Sequence, residues 1–162
     1  MKISMPHALA SIVLLATYVG SVQFIIDQGY IDMGFGTPVQ QFGHTVKVST
    51  LMGQLVVSST QSTECSGNQT YDMSASASVE IEEEGVNMTV PAYNGTMVFN
   101  GTLVKDQVCI EDSCTPSVEF YTITGTDGDY CFVSLLGLSP TEGNYHGPDL
   151  IKEMQEQGII TE

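Results

Sequence analysis

VKVSTLMGQLVVSS, residues 46–59, holds two apolar and β-branched runs separated by Ser49-Thr50-Leu51-Met52-Gly53. Val46 and Val48 alternate with polar residues, whereas Leu55-Val56-Val57 is a short continuous run suited to a strand buried on both faces. The stretch therefore reads as one strand that stops at a turn and resumes as another. What that turn carries decides what the chain can do.

The flanking sequence extends the β pattern. Residues 24–26 and 30–35 read as strands, Gly36-Thr37-Pro38 is a turn signal, and residues 39–49, with Phe42, Val46 and Val48, complete a hairpin. Met73, Ala75, Ala77, Val79 and Ile81 alternate strictly with polar residues, which predicts a half-buried strand over 73–81. Residues 86–93 and 97–110 read as two strands around a loop at Asn94-Gly95, and residues 118–123 as another. Only the end looks helical: Gly147-Pro148-Asp149 starts a helix with proline first and an acid in the first turn, Leu150, Ile151 and Met154 share a face, and Gly158 stops it. The expectation is an all-β domain with one short C-terminal helix. At 162 residues, with no repeat and no low-complexity linker, one domain is the natural reading.

The first residues describe a route rather than a fold. Met1-Lys2 is a small positive segment, residues 8–19 are apolar, and Val19-Gly20-Ser21 offers small residues for cleavage, so residues 1–21 read as a secretory signal peptide and the product as extracellular. The apolar run is too short to span a bilayer, and no membrane association is expected after cleavage. Four tripeptides at Asn68, Asn87, Asn94 and Asn100 match the N-glycosylation acceptor pattern, all with Thr in the third position, and they place the middle of the chain on the solvent side.

Cys65, Cys109, Cys114 and Cys131 suit an oxidising compartment and allow three pairings. Cys109 and Cys114 flank a short polar connection that suits a hairpin turn, which favours their closure and leaves Cys65 with Cys131 by elimination. No metal and no cofactor is expected. There is no Cys-x-x-Cys pair, the histidines beyond the leader are His44 and His146, and Asp127-Gly128-Asp129 lacks the spacing and closing Glu of a calcium loop. Loss of Lys2 with the leader leaves three lysines and no arginine against nineteen acids, a net charge of −16. Nucleic acid and anionic membranes are poor partners for such a chain.

Several pieces, in this order, resemble the amino-terminal lobe of pepsin-like aspartic proteases, the A1 peptidase family, across residues 22–162. YIDMGFGTPVQQF at Tyr30 is similar to the family's first hairpin, and VKVSTLMGQLVVSS follows where the family has its catalytic strand, turn and second strand. YDMSASASVEI at Tyr71 resembles the aromatic and serine-rich segment. VPAYNGT puts Tyr93 at the flap tyrosine, a substrate-cleft position, and GTLVKDQV at Gly101 resembles the returning flap strand. FVSLLGL at Phe132 resembles the hydrophobic-hydrophobic-Gly motif beneath the site. The resemblance implies an acid-protease β-barrel or sandwich lobe, here single and incomplete.

The departures shape the functional expectation. The family carries Asp-Thr-Gly in the turn after the catalytic strand, and two such aspartates, one from each lobe, share a proton and hold the attacking water. Here the aligned triplet is Ser49-Thr50-Leu51. A serine hydroxyl is neutral at physiological pH and can neither take a proton from that water nor share one with a second carboxylate. No catalytic residue is assigned, and the expectation is a pseudoprotease acting by binding a peptide or protein in the cleft. Its lobe partner is either a second copy, which supplies a second serine, or a lobe absent from this chain. The alternative is a fragment or truncated product of a larger aspartic endopeptidase-family protein. A different class, a small secreted β-barrel for an apolar ligand, predicts evenly spaced up-and-down strands. A Ser-His-acid site is disfavoured, because His44 lies five residues before Ser49 on one strand and faces the other way.

Overall fold

The computed structural model describes residues 29–50, 52–62, 69–92, 95–110, 113–126, 134–138 and 149–158. The expected strand at 24–26 and the leader lie outside these residues.

Glycine and proline begin the fold. Strands β1 (Tyr30–Phe35) and β2 (Gln40–Ser49) form the expected antiparallel hairpin, with Met33 opposite Phe42. Gly36 turns the chain at φ 79°, a conformation that side chains disfavour. Ile31, Met33 and Phe35 point inward with Phe42 and Val46, and the Phe35 ring packs on Phe42, Phe120 and Tyr71 at 4.9, 5.4 and 6.1 Å. Strand β3 (Leu55–Ser58) is buried throughout. Its neighbours explain the continuous apolar run: Leu55 and Val57 join the core around Phe35, while Val56 joins a second cluster with Met52, Phe99, Tyr121 and Ile123.

Strands β4 (Glu80–Ala92), β5 (Gly95–Ile110) and β6 (Ser113–Thr126) form a long meander, followed by the short β7 (Leu135–Gly137). The sheet order is β1-β2-β7-β3-β6-β5-β4, and Met33–Phe35 of β1 also pairs with Val108–Ile110 of β5, so six strands close on themselves and β4 extends from the ring. β2 runs parallel to β7, and β3 parallel to β6. Two parallel pairings are incompatible with an up-and-down barrel. β6 begins earlier than its apolar residues suggest, because Cys109 and Cys114 face each other across β5 and β6 and are disulfide-bonded, as the sequence favours. Cys65 and Cys131 lie outside the described residues.

The expected strand over 73–81 is not formed over most of its length. Met73–Ala75 is a turn of 3-10 helix, and pairing starts only at Glu80. Short polar side chains supply the alternative to a ladder. Asp72 Oδ1 accepts from Ser74 N and Ser74 Oγ at 2.9 and 2.6 Å, and Ser76 Oγ accepts from Thr37 N at 3.0 Å. Ala75 and Ala77, counted as inward positions in the alternation, are exposed.

Helix α1 (Leu150–Glu156) buries Leu150 and Met154 against the core, and Gly158 ends it at φ 71°. Asp149 is the N-cap rather than a first-turn acid, accepting from Ile151 N and Lys152 N at 3.1 and 3.3 Å. Glu153 on this helix accepts from Glu119 N, and its carboxyl is pushed above the usual range, chiefly by burial and further by the charge of Glu119. The fold therefore favours the neutral carboxyl. Its contribution to stability is complete below the unfolded value of about 4.3 and is lost as pH rises through the raised native value. Glu153→Gln is expected to melt above the parent at neutral pH, with the difference vanishing below pH 4; thermal unfolding at the two pH values checks this.

Candidate functional site

The turn between β2 and β3 owes its shape to β7. That strand lies between the two strands the turn joins, with Ser49 beside Gly137 on one side and Leu55 beside Leu136 on the other. Leu138 N donates to Ser49 O at 2.8 Å and Gly137 N to Gln54 O at 3.0 Å, so both ends of the turn are tied to one segment. Ser134 ties it further, its backbone O accepting from Lys47 N at 2.8 Å and its Oγ from Ser58 N at 3.1 Å.

Gly137 is required by space. A Cβ there would stand 2.5 Å from Met52 O and 2.7 Å from both the N and O of Gln54. All three are backbone atoms of the turn, which cannot retreat without giving up the hydrogen bonds just described. Helix α1 joins the same place, since Gln54 forms a β-bridge with Asp149.

The turn's chemistry follows from its residues. Ser49 is half-buried and Thr50 exposed, while Met52 and Gln54 are buried. No ionisable side chain lies in residues 49–54. Asp149 is the acid joined to the turn through backbone pairing, and its carboxylate is occupied by capping α1. The turn thus offers hydroxyls and backbone groups, which donate and accept hydrogen bonds but supply no general base at neutral or acidic pH.

A buried carboxylate does exist, elsewhere. Asp106 on β5 is 1% exposed and accepts from Tyr71 OH, from Ser78 Oγ at 2.5 Å and from Gln107 N at 2.7 Å. Burial first, and then the hydrogen bond to Asp106, hold the Tyr71 hydroxyl far above its ordinary range, so it stays protonated. Thr37 Oγ1 lies 2.8 Å from Ser78 Oγ and 3.1 Å from Gln107 Oε1, which extends the network. The first hairpin, the serine-rich segment and β5 are thereby joined around one acid. These partners come from residues 71, 78 and 107 and none from the β2–β3 turn, so the group clamps the fold. Its sequence signal was the inward series Val104, Asp106, Val108 and Ile110, in which a carboxylate occupies a core position.

The other sequence-derived positions divide as follows. Asn87 on β4 and Asn100 on β5 are exposed, whereas Asn68, Tyr93, Asn94 and His146 lie outside the described residues; Tyr93 and Asn94 form the connection between paired Ala92 and Gly95. His44 lies on β2, and its side chain is not described. Among the described residues no group of three or more His, Cys, Asp or Glu is placed to hold a metal, and no helix is long and apolar enough to cross a membrane.

An all-β lobe in which a short strand threads between the two arms of a strand–turn–strand unit defines the class as pepsin-like. The family model for eukaryotic aspartyl protease matches residues 28–162, and the chain belongs to that family. No curated protein matches the chain.

Proposed function

We propose that the chain is a secreted aspartyl-protease-type lobe that holds extended polypeptide without cleaving it. The observation that carries this reading is the hydroxyl-only turn: the family resemblance puts the catalytic Asp-Thr at Ser49-Thr50, and residues 49–54 hold no ionisable side chain. Proton sharing between two carboxylates is the basis of catalysis in this class, and a homodimer would bring two copies of Ser49 in their place. Peptide capture has no such requirement, because strand addition rests on backbone hydrogen bonds and side-chain pockets. The long β4–β5 hairpin supports capture, since it keeps an extended arm with Tyr93, the flap-type residue, in its connection.

Secretion is part of the reading. The leader-like residues 1–21, the four sequons and the Cys109–Cys114 disulfide all suit an oxidising, extracellular compartment. A second lobe, whether another copy or another chain, is the partner that would complete a two-sided cleft, and the residues in hand are equally those of one part of a larger family member.

Equilibrium binding tests the positive half. Titration of the secreted protein with an unstructured polypeptide such as reduced casein is expected to give saturable binding, with the polypeptide recovered intact by mass spectrometry. Absence of binding across the micromolar range, or recovery of fragments whose formation pepstatin suppresses, would overturn it.

A further inference from the structure

The β4–β5 hairpin has two unlike faces. Val86 and Met88 pack, with Phe99, against Met52, Val56, Tyr121 and Ile123. Asn87 and Asn100 alternate with these residues and are directly opposite each other in the antiparallel register. Opposed residues of such a pair share a face, with Cβ atoms about 5 Å apart. Both asparagines are exposed, and among the described residues neither side-chain amide has a hydrogen-bond partner. The row continues into β6 at Gly125, which pairs with Asn100 and where an added Cβ would meet nothing within 4 Å. The face around the two amides is therefore open on the side where a neighbouring strand would otherwise crowd it.

The geometry points to Asn87 and Asn100 as a paired N-glycan site on the outer face of this hairpin. The inference rests on the secretory reading above and deepens it, since the sequons Asn87-Met88-Thr89 and Asn100-Gly101-Thr102 were read singly in the sequence, whereas the register makes them one site. The co-substrate is a lipid-pyrophosphate-linked oligosaccharide. The amide nitrogen forms a bond to the anomeric carbon, the anomeric C–O bond breaks, the lipid pyrophosphate leaves with the electron pair, and the amide loses one proton. Two carbohydrate stems rising about 5 Å apart cover the open face of the hairpin. Protein contacts with the arm are then confined to its apolar face and to the edge of β4 that has no strand partner among the described residues.

The test uses the full chain, leader included, expressed in insect cells and recovered from the medium. Glycan release by an amidase in heavy-oxygen water converts each occupied Asn to labelled Asp, which peptide mass spectrometry locates. Label at both residues 87 and 100 is expected, with Asn87→Gln and Asn100→Gln each removing one glycan's mass and the double variant removing two. Thr89→Ala, which keeps Asn87 but breaks its sequon at an exposed position, is expected to match Asn87→Gln. Secreted protein labelled at Asn68 or Asn94 but at only one or neither of the pair overturns the paired site and leaves secretion standing. Secreted protein with carbohydrate at no sequon likewise overturns the paired site, whereas a chain that never reaches the medium overturns the secretory reading itself.

Discussion

Replacing Asp106 with alanine is expected to lower the unfolding free energy by about 3 to 5 kcal/mol, the largest stability loss of any single polar substitution in the described fold. The carboxylate is buried and serves three donors, so its removal leaves Tyr71 OH, Ser78 Oγ and Gln107 N without their acceptor. A buried donor left unpaired costs about 1 to 3 kcal/mol. For a domain of this size the loss corresponds to a fall of roughly 10 °C in Tm. Tyr71→Phe, which removes one donor and leaves the acid two others, is expected to cost about 1 to 3 kcal/mol. Because much of the Asp106→Ala penalty is the orphaned hydroxyl of Tyr71, the double variant should lose less than the two single losses added together. Denaturant unfolding of the four proteins measures the cycle. Additive losses, or a loss under about 1 kcal/mol for Asp106→Ala, would show that the network does not hold the hairpin to β5.

The second large effect is expected at Gly137. Alanine there puts a methyl carbon 2.5 to 2.7 Å from three backbone atoms of the β2–β3 turn. Backbone held by hydrogen bonds to the same strand cannot move aside as a flexible side chain would. The cost is set at the upper end for overpacking, about 3 kcal/mol. Gly43 is the control, since an added Cβ there meets nothing within 4 Å. Gly137→Ala should melt well below the parent, and Gly43→Ala should change the melting temperature little. Equal behaviour of the two would mean that β7 does not press on the turn as described.

These two positions show how unevenly the structure could be read in advance. The β1–β2 hairpin was legible because Gly36-Thr37-Pro38 interrupts two apolar runs, and β3 because Leu55-Val56-Val57 leaves no polar face. Residues 73–81 alternate without forming a strand over most of their length, for a reason inherent in alternation. Ala75 and Ala77 bury little area wherever they point, whereas the hydroxyls and carboxylate between them tie the backbone into local turns. β7 has three residues, too few for any period to register; the resemblance of FVSLLGL to a family motif puts it beneath the site, and its position between β2 and β3 is a finding of the structure. Asp106 escapes a strand pattern because such a pattern puts a carboxylate on the outward face. Its burial depends on Tyr71 and Ser78, residues 35 and 28 positions away, that no local window contains. The absence of an ionisable group at residues 49–54 is a fact of the sequence, and the structure adds how firmly β7 ties that turn in place.

A single acid placed in this turn does not make the site catalytic. Ser49→Asp would put one carboxylate in the turn, yet a single acid without a partner to share its proton lacks the arrangement on which this class depends. The central claim is therefore a claim about rate. Cleavage of denatured haemoglobin at acidic pH, with and without pepstatin, should be followed for the purified protein and for Ser49→Ala. The account predicts two indistinguishable traces at the level of buffer alone. Pepstatin-sensitive cleavage by the parent protein would contradict it.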